Sequence, residues 1–159
     1  MKRFLAAVGI VITAVVFLAP EAGSDKAHEK DNDPKLAINY RKSIMKALGV
    51  HLGAIKAVAS GKMKMPAHHY VVHAEAVKAL NDMLIDLFPK GTWGHEDTRA
   101  KKEIWEKWDH FKSLIANMEK ASGELLEAGR KRDLRAMSKG LRKVGRACSA
   151  CHKLYREKR

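Results

Sequence analysis

The stretch KRDLRAMSKGLRKVGRACSACHKLYRE, residues 131–157, decides the reading of this chain. Leu134, Met137, Leu141, Val144, Cys148, Cys151 and Tyr155 recur at alternating steps of three and four. That spacing puts one apolar stripe down a single helix face, so the stretch predicts an amphipathic helix over roughly Lys131 to Glu157. The rest of its surface is basic. From Arg130 to Arg159 there are twelve Lys or Arg and only two acids, Asp133 and Glu157.

Working outward, the preceding sequence repeats this pattern. Met45, Leu48, Leu52, Ile55 and Ala59 form a stripe in a first predicted helix, Pro34 to Ser60, with Arg41 one turn earlier on the same face. A second helix is expected to start near Pro66, which suits a first-turn position, and to bury Val72, Ala76, Leu80, Met83, Leu84 and Leu87. Pro89 stops it. A third is expected from Thr98 to Glu127 with Ile104, Trp105, Trp108, Phe111, Ile115, Met118 and Leu125 inward, and Gly129 marking its end. Four amphipathic helices with short connections predict an all-α, antiparallel up-down four-helix bundle over residues 34–159.

The N-terminus has a different character. Lys2 and Arg3 precede an uncharged apolar run from Phe4 to Ala19, then Pro20 and a polar run. Sixteen apolar residues fall short of the about 20 that span a bilayer. Residues 1–23 therefore read as a secretory signal peptide and 24–33 as a polar leader. The mature chain is expected in the periplasm, without stable membrane insertion. Export argues against nucleic acid as the target of the +13 net charge. An acidic protein partner docking on the basic face fits better.

Both cysteines of the chain lie in Cys148-Ser149-Ala150-Cys151-His152. Thiols three apart on a helix share a face, so both reach the vinyl groups at one edge of a porphyrin, and the adjacent imidazole can turn beneath the iron. C-x-x-C-H is the attachment pattern of c-type haem. A redox dithiol would place a strand before the helix, and a zinc site would bring a second ligand pair; neither is present. The expectation is one covalent haem c, held by Cys148 and Cys151, with His152 as axial ligand. His69 and His73, at i and i+4, have the spacing of a metal clamp but read as a solvated or half-buried helix face. His51 does not read as an axial ligand, and His95 and His110 have no evident role. No acid–base or nucleophile constellation suggests an enzyme.

A C-terminal C-x-x-C-H on the last helix of a bundle resembles the cytochrome c′ family, the class II c-type cytochromes. Tyr40-Arg41-Lys42-Ser43-Ile44-Met45, Phe88-Pro89-Lys90-Gly91-Thr92 with Ile104-Trp105, and Cys151-His152-Lys153-Leu154-Tyr155-Arg156 carry the likeness further. The resemblance implies that Arg41 pairs with a haem propionate and that the loop bearing Thr92 and Trp93 approaches the haem. Lys42 stands where relatives often carry glutamine. In the family it resembles, the residue four after the arginine lies over the open haem face. Here it is Met45, whose thioether is able to ligate iron. The resemblance thus implies a low-spin, Met/His-ligated one-electron carrier. The alternative is a five-coordinate cytochrome c′ that binds nitric oxide or carbon monoxide, with Met45 merely packed. Relatives are often homodimers, so a homodimer is possible.

Overall fold

The structure, a computed structural model, describes residues 33–66 and 68–158. The signal-peptide and leader readings lie outside the described residues, apart from Asp33. Four long helices form the body: α1 (Pro34–Ala59), α2 (His68–Asp82), α4 (Trp108–Arg130) and α5 (Leu134–Tyr155), with a short α3 (Glu103–Glu106) ahead of α4. α1 packs on α2, α2 on α4, α4 on α5 and α5 back on α1. This closed ring is the expected four-helix bundle. Among the described residues, no helix is long and apolar enough to cross a membrane.

Local chemistry sets the helix ends. The Asp33 carboxylate accepts from Lys35 N at 2.9 Å, with Pro34 in the first turn. The Asp133 carboxylate accepts from Ala136 N at 2.9 Å and caps α5. Each cap satisfies a backbone donor that the helix leaves orphaned.

Three features depart from the expectations. First, α2 buries Ala74, Val77 and Asn81, whereas Val72 is 53% exposed. The face is chosen by close approach to α4. A Cβ built on Gly129 would meet Ala74 Cβ at 3.2 Å and Tyr70 O at 3.4 Å. Gly129 is therefore a buried contact point and not a stop; α4 runs on to Arg130, and the reversal falls at Arg132 with φ of 53°. Second, α2 ends at Asp82, and Leu84–Leu87 continue as a 3₁₀ turn before Phe88-Pro89. Third, Thr98 to Lys102 is not helical, and Lys107 (φ −120°, ψ 45°) separates α3 from α4. Residues 99–101 are committed elsewhere. Lys101 N donates to Tyr155 O at 3.0 Å, and Glu157 N donates to Arg99 O at 2.8 Å. These bonds form a short antiparallel bridge, Ala100 to Arg156, that ties the loop to the end of α5.

The core runs along the bundle axis through Leu48, Ile55, Val77, Ile115, Leu125, Met137 and Val144. At the α5 C-terminal end it becomes aromatic. Phe88 and Phe111 meet edge to face at 4.8 Å, and Phe111 meets Tyr155 the same way at 5.4 Å. Such pairs add roughly 0.5–1.5 kcal/mol each beyond their buried area.

Candidate haem site

A cavity of about 610 Å³ opens between α1, α4, α5 and the segment before α3. α5 contributes Ala147, Cys148, Cys151, His152 and Tyr155 to its wall, and Arg156 follows at its C-cap. α1 contributes Arg41, Lys42, Met45, Lys46, Leu48, Gly49 and Leu52. Phe111, Leu114, Ile115 and Met118 of α4 line it too, and Asp97 to Ala100 line it from the loop. The helical period explains the gathering. Arg41, Met45, Leu48 and Leu52 fall on one stripe of α1, as do Cys148, Cys151 and Tyr155 on α5.

The cysteines are free thiols, half-buried, and not joined to each other. Burial pushes the Cys148 thiol above its ordinary value, and burial together with Cys148 pushes Cys151 up to about 11. A redox dithiol needs a thiol pushed the other way, toward thiolate. The pair stands on an apolar wall of the cavity, and Cys148 Sγ lies 3.8 Å from Met118 Sδ. His152 has its pKa lowered by burial first, then by Arg156 and Arg99. A neutral imidazole keeps the lone pair that an iron ligand requires.

Arg41 is 4% exposed and reaches the cavity edge. Its Nη1 donates to Leu87 O at 3.0 Å and Thr92 Oγ1 at 3.1 Å. Its Nη2 donates to Thr92 O at 3.3 Å and Thr98 Oγ1 at 2.8 Å. The guanidinium also lies 4.9 Å from the Phe88 ring centroid. All four acceptors are neutral, and burial lowers its pKa to about 10. A buried cation facing only neutral oxygens is matched to an anion brought in by a ligand.

The donor set fits a haem. Two thiols three apart and a neutral imidazole stand on one wall, a thioether on another, the interior is mostly apolar, and a cation sits at the edge. A second groove of about 500 Å³, between α1 and α5, is lined by Leu52, Lys56, Leu141, Arg142 and Gly145 among others, and holds no thiol, imidazole or thioether.

The remaining residues named from sequence are placed differently. Thr92 is 1% exposed and lies behind Arg41, its hydroxyl donating to Pro89 O at 2.8 Å. Trp93 packs on Trp105 at 5.1 Å between ring centroids. Neither lines the cavity. Thr92 and Thr98 position Arg41. Sequence reasoning did not single out Thr98, Lys46, Gly49, Arg99 or Arg156. Lys46 and Gly49 had a usable signal, one residue and one turn beyond Met45. Arg156 closes the quoted Cys151-to-Arg156 motif but had no role assigned, and Arg99 had no signal, because the backbone bridge is what brings it to the end of α5.

Comparison with known proteins agrees with this geometry. The family model described as Cytochrome C′ matches residues 36–156. Cytochrome c′ of Pararhodospirillum photometricum is 36% identical, over 78% of this chain and 98% of that protein. Among solved structures, a nitric oxide complex of a cytochrome c prime mutant from Alcaligenes xylosoxidans superposes with TM-score 0.75 at 28% identity, covering 82% of this chain and 100% of that one. A carbon monoxide-bound variant of the same protein gives TM-score 0.73 at 28% identity, covering 79% and 98%. Family match, high mutual coverage and the placement of Cys148, Cys151 and His152 lead to one conclusion: the chain belongs to the cytochrome c′ family and is a c-type cytochrome with one covalently bound haem c.

Proposed function

We propose that this cytochrome acts in the periplasm as a binder of small diatomic gases, with His152 on one haem face and the Met45 side of the cavity as the entry face. The observation that carries the reading is the likeness, over about four-fifths of the chain, to proteins solved with nitric oxide and carbon monoxide bound. Haem, when attached through Cys148 and Cys151, supplies the redox-active iron. The chain's own residues do the rest. His152 offers a neutral nitrogen, Arg41 receives a propionate with Thr92 and Thr98 fixing its fork, and Leu48, Leu52 and Ile115 keep water from the cavity. No residue is assigned a catalytic role.

One observation favours the second reading, a low-spin one-electron carrier. The Met45 side chain lines the same cavity as His152, from α1 where His152 comes from α5. A thioether on iron stabilises the reduced state. In that reading Lys42, Lys46, Arg99 and Arg156, all at the cavity, form a positive rim that steers an acidic redox partner.

A visible spectrum of the dithionite-reduced holoprotein, with and without carbon monoxide, separates the two. The gas-binding reading expects a high-spin reduced spectrum and a Soret shift on adding carbon monoxide. A sharp low-spin spectrum that carbon monoxide leaves unchanged overturns it and supports the carrier. Electron transfer to an acidic partner would then slow as salt is raised.

A further inference from the structure

Away from the haem cavity, three histidines meet at the α1–α2 interface. His51 Nδ1 of α1 faces His73 Nδ1 of α2 at 2.9 Å, with ring centroids 5.1 Å apart. His69 lies one turn before His73 on the same helix face, its ring 6.3 Å away. All three are half-buried, and none lines the haem cavity.

Two imidazole nitrogens aimed at each other across a helix pair require one proton between them. A metal ion satisfies both lone pairs without it. Tetrahedral zinc with Zn–N of about 2.05 Å needs its nitrogens roughly 3.3 Å apart. The His51–His73 pair has to open by only about 0.4 Å to admit one. Among the described residues no three donor side chains already converge on a point. A third ligand would have to come from His69, 6.3 Å from His73 between ring centroids, by rotation about its own χ angles, as i, i+4 spacing allows.

We propose that His51, His73 and His69 form a surface binding site for a divalent, imidazole-preferring ion of the zinc type, with water as fourth ligand. Binding moves the shared proton from Nδ1 to Nε2 of the same ring by exchange with solvent, so both imidazoles ligate in their neutral form, with no net proton release and no redox step. The ion staples α1 to α2, six residues along α1 from Met45. Imidazole donors without a carboxylate among them suit zinc, copper or nickel over magnesium or calcium.

The test is isothermal titration calorimetry of zinc chloride into the haem-loaded protein, in a non-chelating buffer at pH 7.5. The expected result is one saturable site at micromolar zinc. His51→Ala and His73→Ala should each weaken it at least tenfold, and His69→Ala should weaken it less. The Soret band and far-UV dichroism of each variant must match the wild type, which excludes misfolding as the cause. Absence of saturable heat below millimolar zinc, or unaltered binding in both His51→Ala and His73→Ala, overturns the proposal. Because the haem spectrum is only a folding control, the outcome is independent of whether the haem binds gas or carries electrons.

Discussion

Alanine at two glycines of α5 should give opposite results. A Cβ at Gly140 would lie 3.1 Å from Leu125 Cα, 3.3 Å from Leu125 Cβ and 3.4 Å from its Cδ1. The nearest of these is backbone, so no rotamer change relieves it, and α5 must withdraw from α4 by a few tenths of an ångström. Overpacking of this kind costs about 1–3 kcal/mol. At Gly145, in the same helix, a Cβ meets nothing within 4 Å. Both substitutions gain the same intrinsic helix preference, about 1 kcal/mol. That gain cancels in the comparison, leaving the steric cost alone. Gly145→Ala should therefore melt above wild type, and Gly140→Ala should melt below Gly145→Ala by the equivalent of about 1–3 kcal/mol, some 3–10 °C for a domain of this size. The assay is thermal unfolding of the holoprotein by far-UV dichroism, with the Soret band followed in parallel. If Gly140→Ala is as stable as Gly145→Ala, the close approach of α4 and α5 is wrong, and with it the placement of the haem-binding wall.

Other expectations concern single contacts. Arg41→Leu strips donors from Leu87 O and Thr92 O, at about 1–3 kcal/mol each. Part of this is recovered by no longer burying a cation whose pKa burial lowers to about 10, but in the holoprotein the propionate proposed to pair with Arg41 loses its partner as well. Thermal unfolding of the holoprotein should show a net loss of about 1–3 kcal/mol, and redox titration should show a lower haem potential, since a nearby cation favours the reduced state. Asp133→Ala removes the α5 cap and should cost about 1 kcal/mol in thermal unfolding. Burial, then the charges of His51 and His69, hold the His73 pKa below its ordinary value. The folded chain then protonates later than the unfolded one, so this contribution is complete above about pH 6.5 and is lost as the pH falls toward the folded value. In metal-free buffer, the drop in melting temperature from pH 7 to pH 5 should be smaller for His73→Gln than for wild type.

What could be read without coordinates was the information carried by short spacings. Cys148, Cys151 and His152 fall within five residues, and Arg41 and Met45 are one helical turn apart. The four helices followed from the same periodicity. Long-range backbone pairing left no such trace. Residues 99–101 look like a continuation of the third helix until they bond to residues 155–157. Of the face expected to be buried, Leu80, Leu84 and Leu87 do meet the core, but Val72, favoured by hydrophobicity, is exposed because close packing puts Ala74 against Gly129. Gly140 carries no local sign that it touches Leu125. The His51–His73 contact joins residues 22 apart on two helices, so the i, i+4 pair His69 and His73 was visible and its partner was not.

The two walls of the haem cavity differ in how firmly they are held, and this bears on which function the chain performs. α5 is pinned to α4 by the Gly140–Leu125 approach and a Lys143–Glu124 ion pair, and to the loop by the bridge at Arg156. Cys148, Cys151 and His152 stand on that fixed wall. α1 is held on either side of Met45, by the four bonds of Arg41 and by buried Leu48 and Ile55. Met45 itself is only half-buried, on an unbranched side chain with three rotatable bonds. A bundle that fixes the histidine side and leaves the thioether side adjustable is compatible with either occupant of the open haem face. Family membership and fold determine the haem attachment. The choice between gas and sulfur turns on the conformation of one side chain, where a reduced spectrum with carbon monoxide measures it directly.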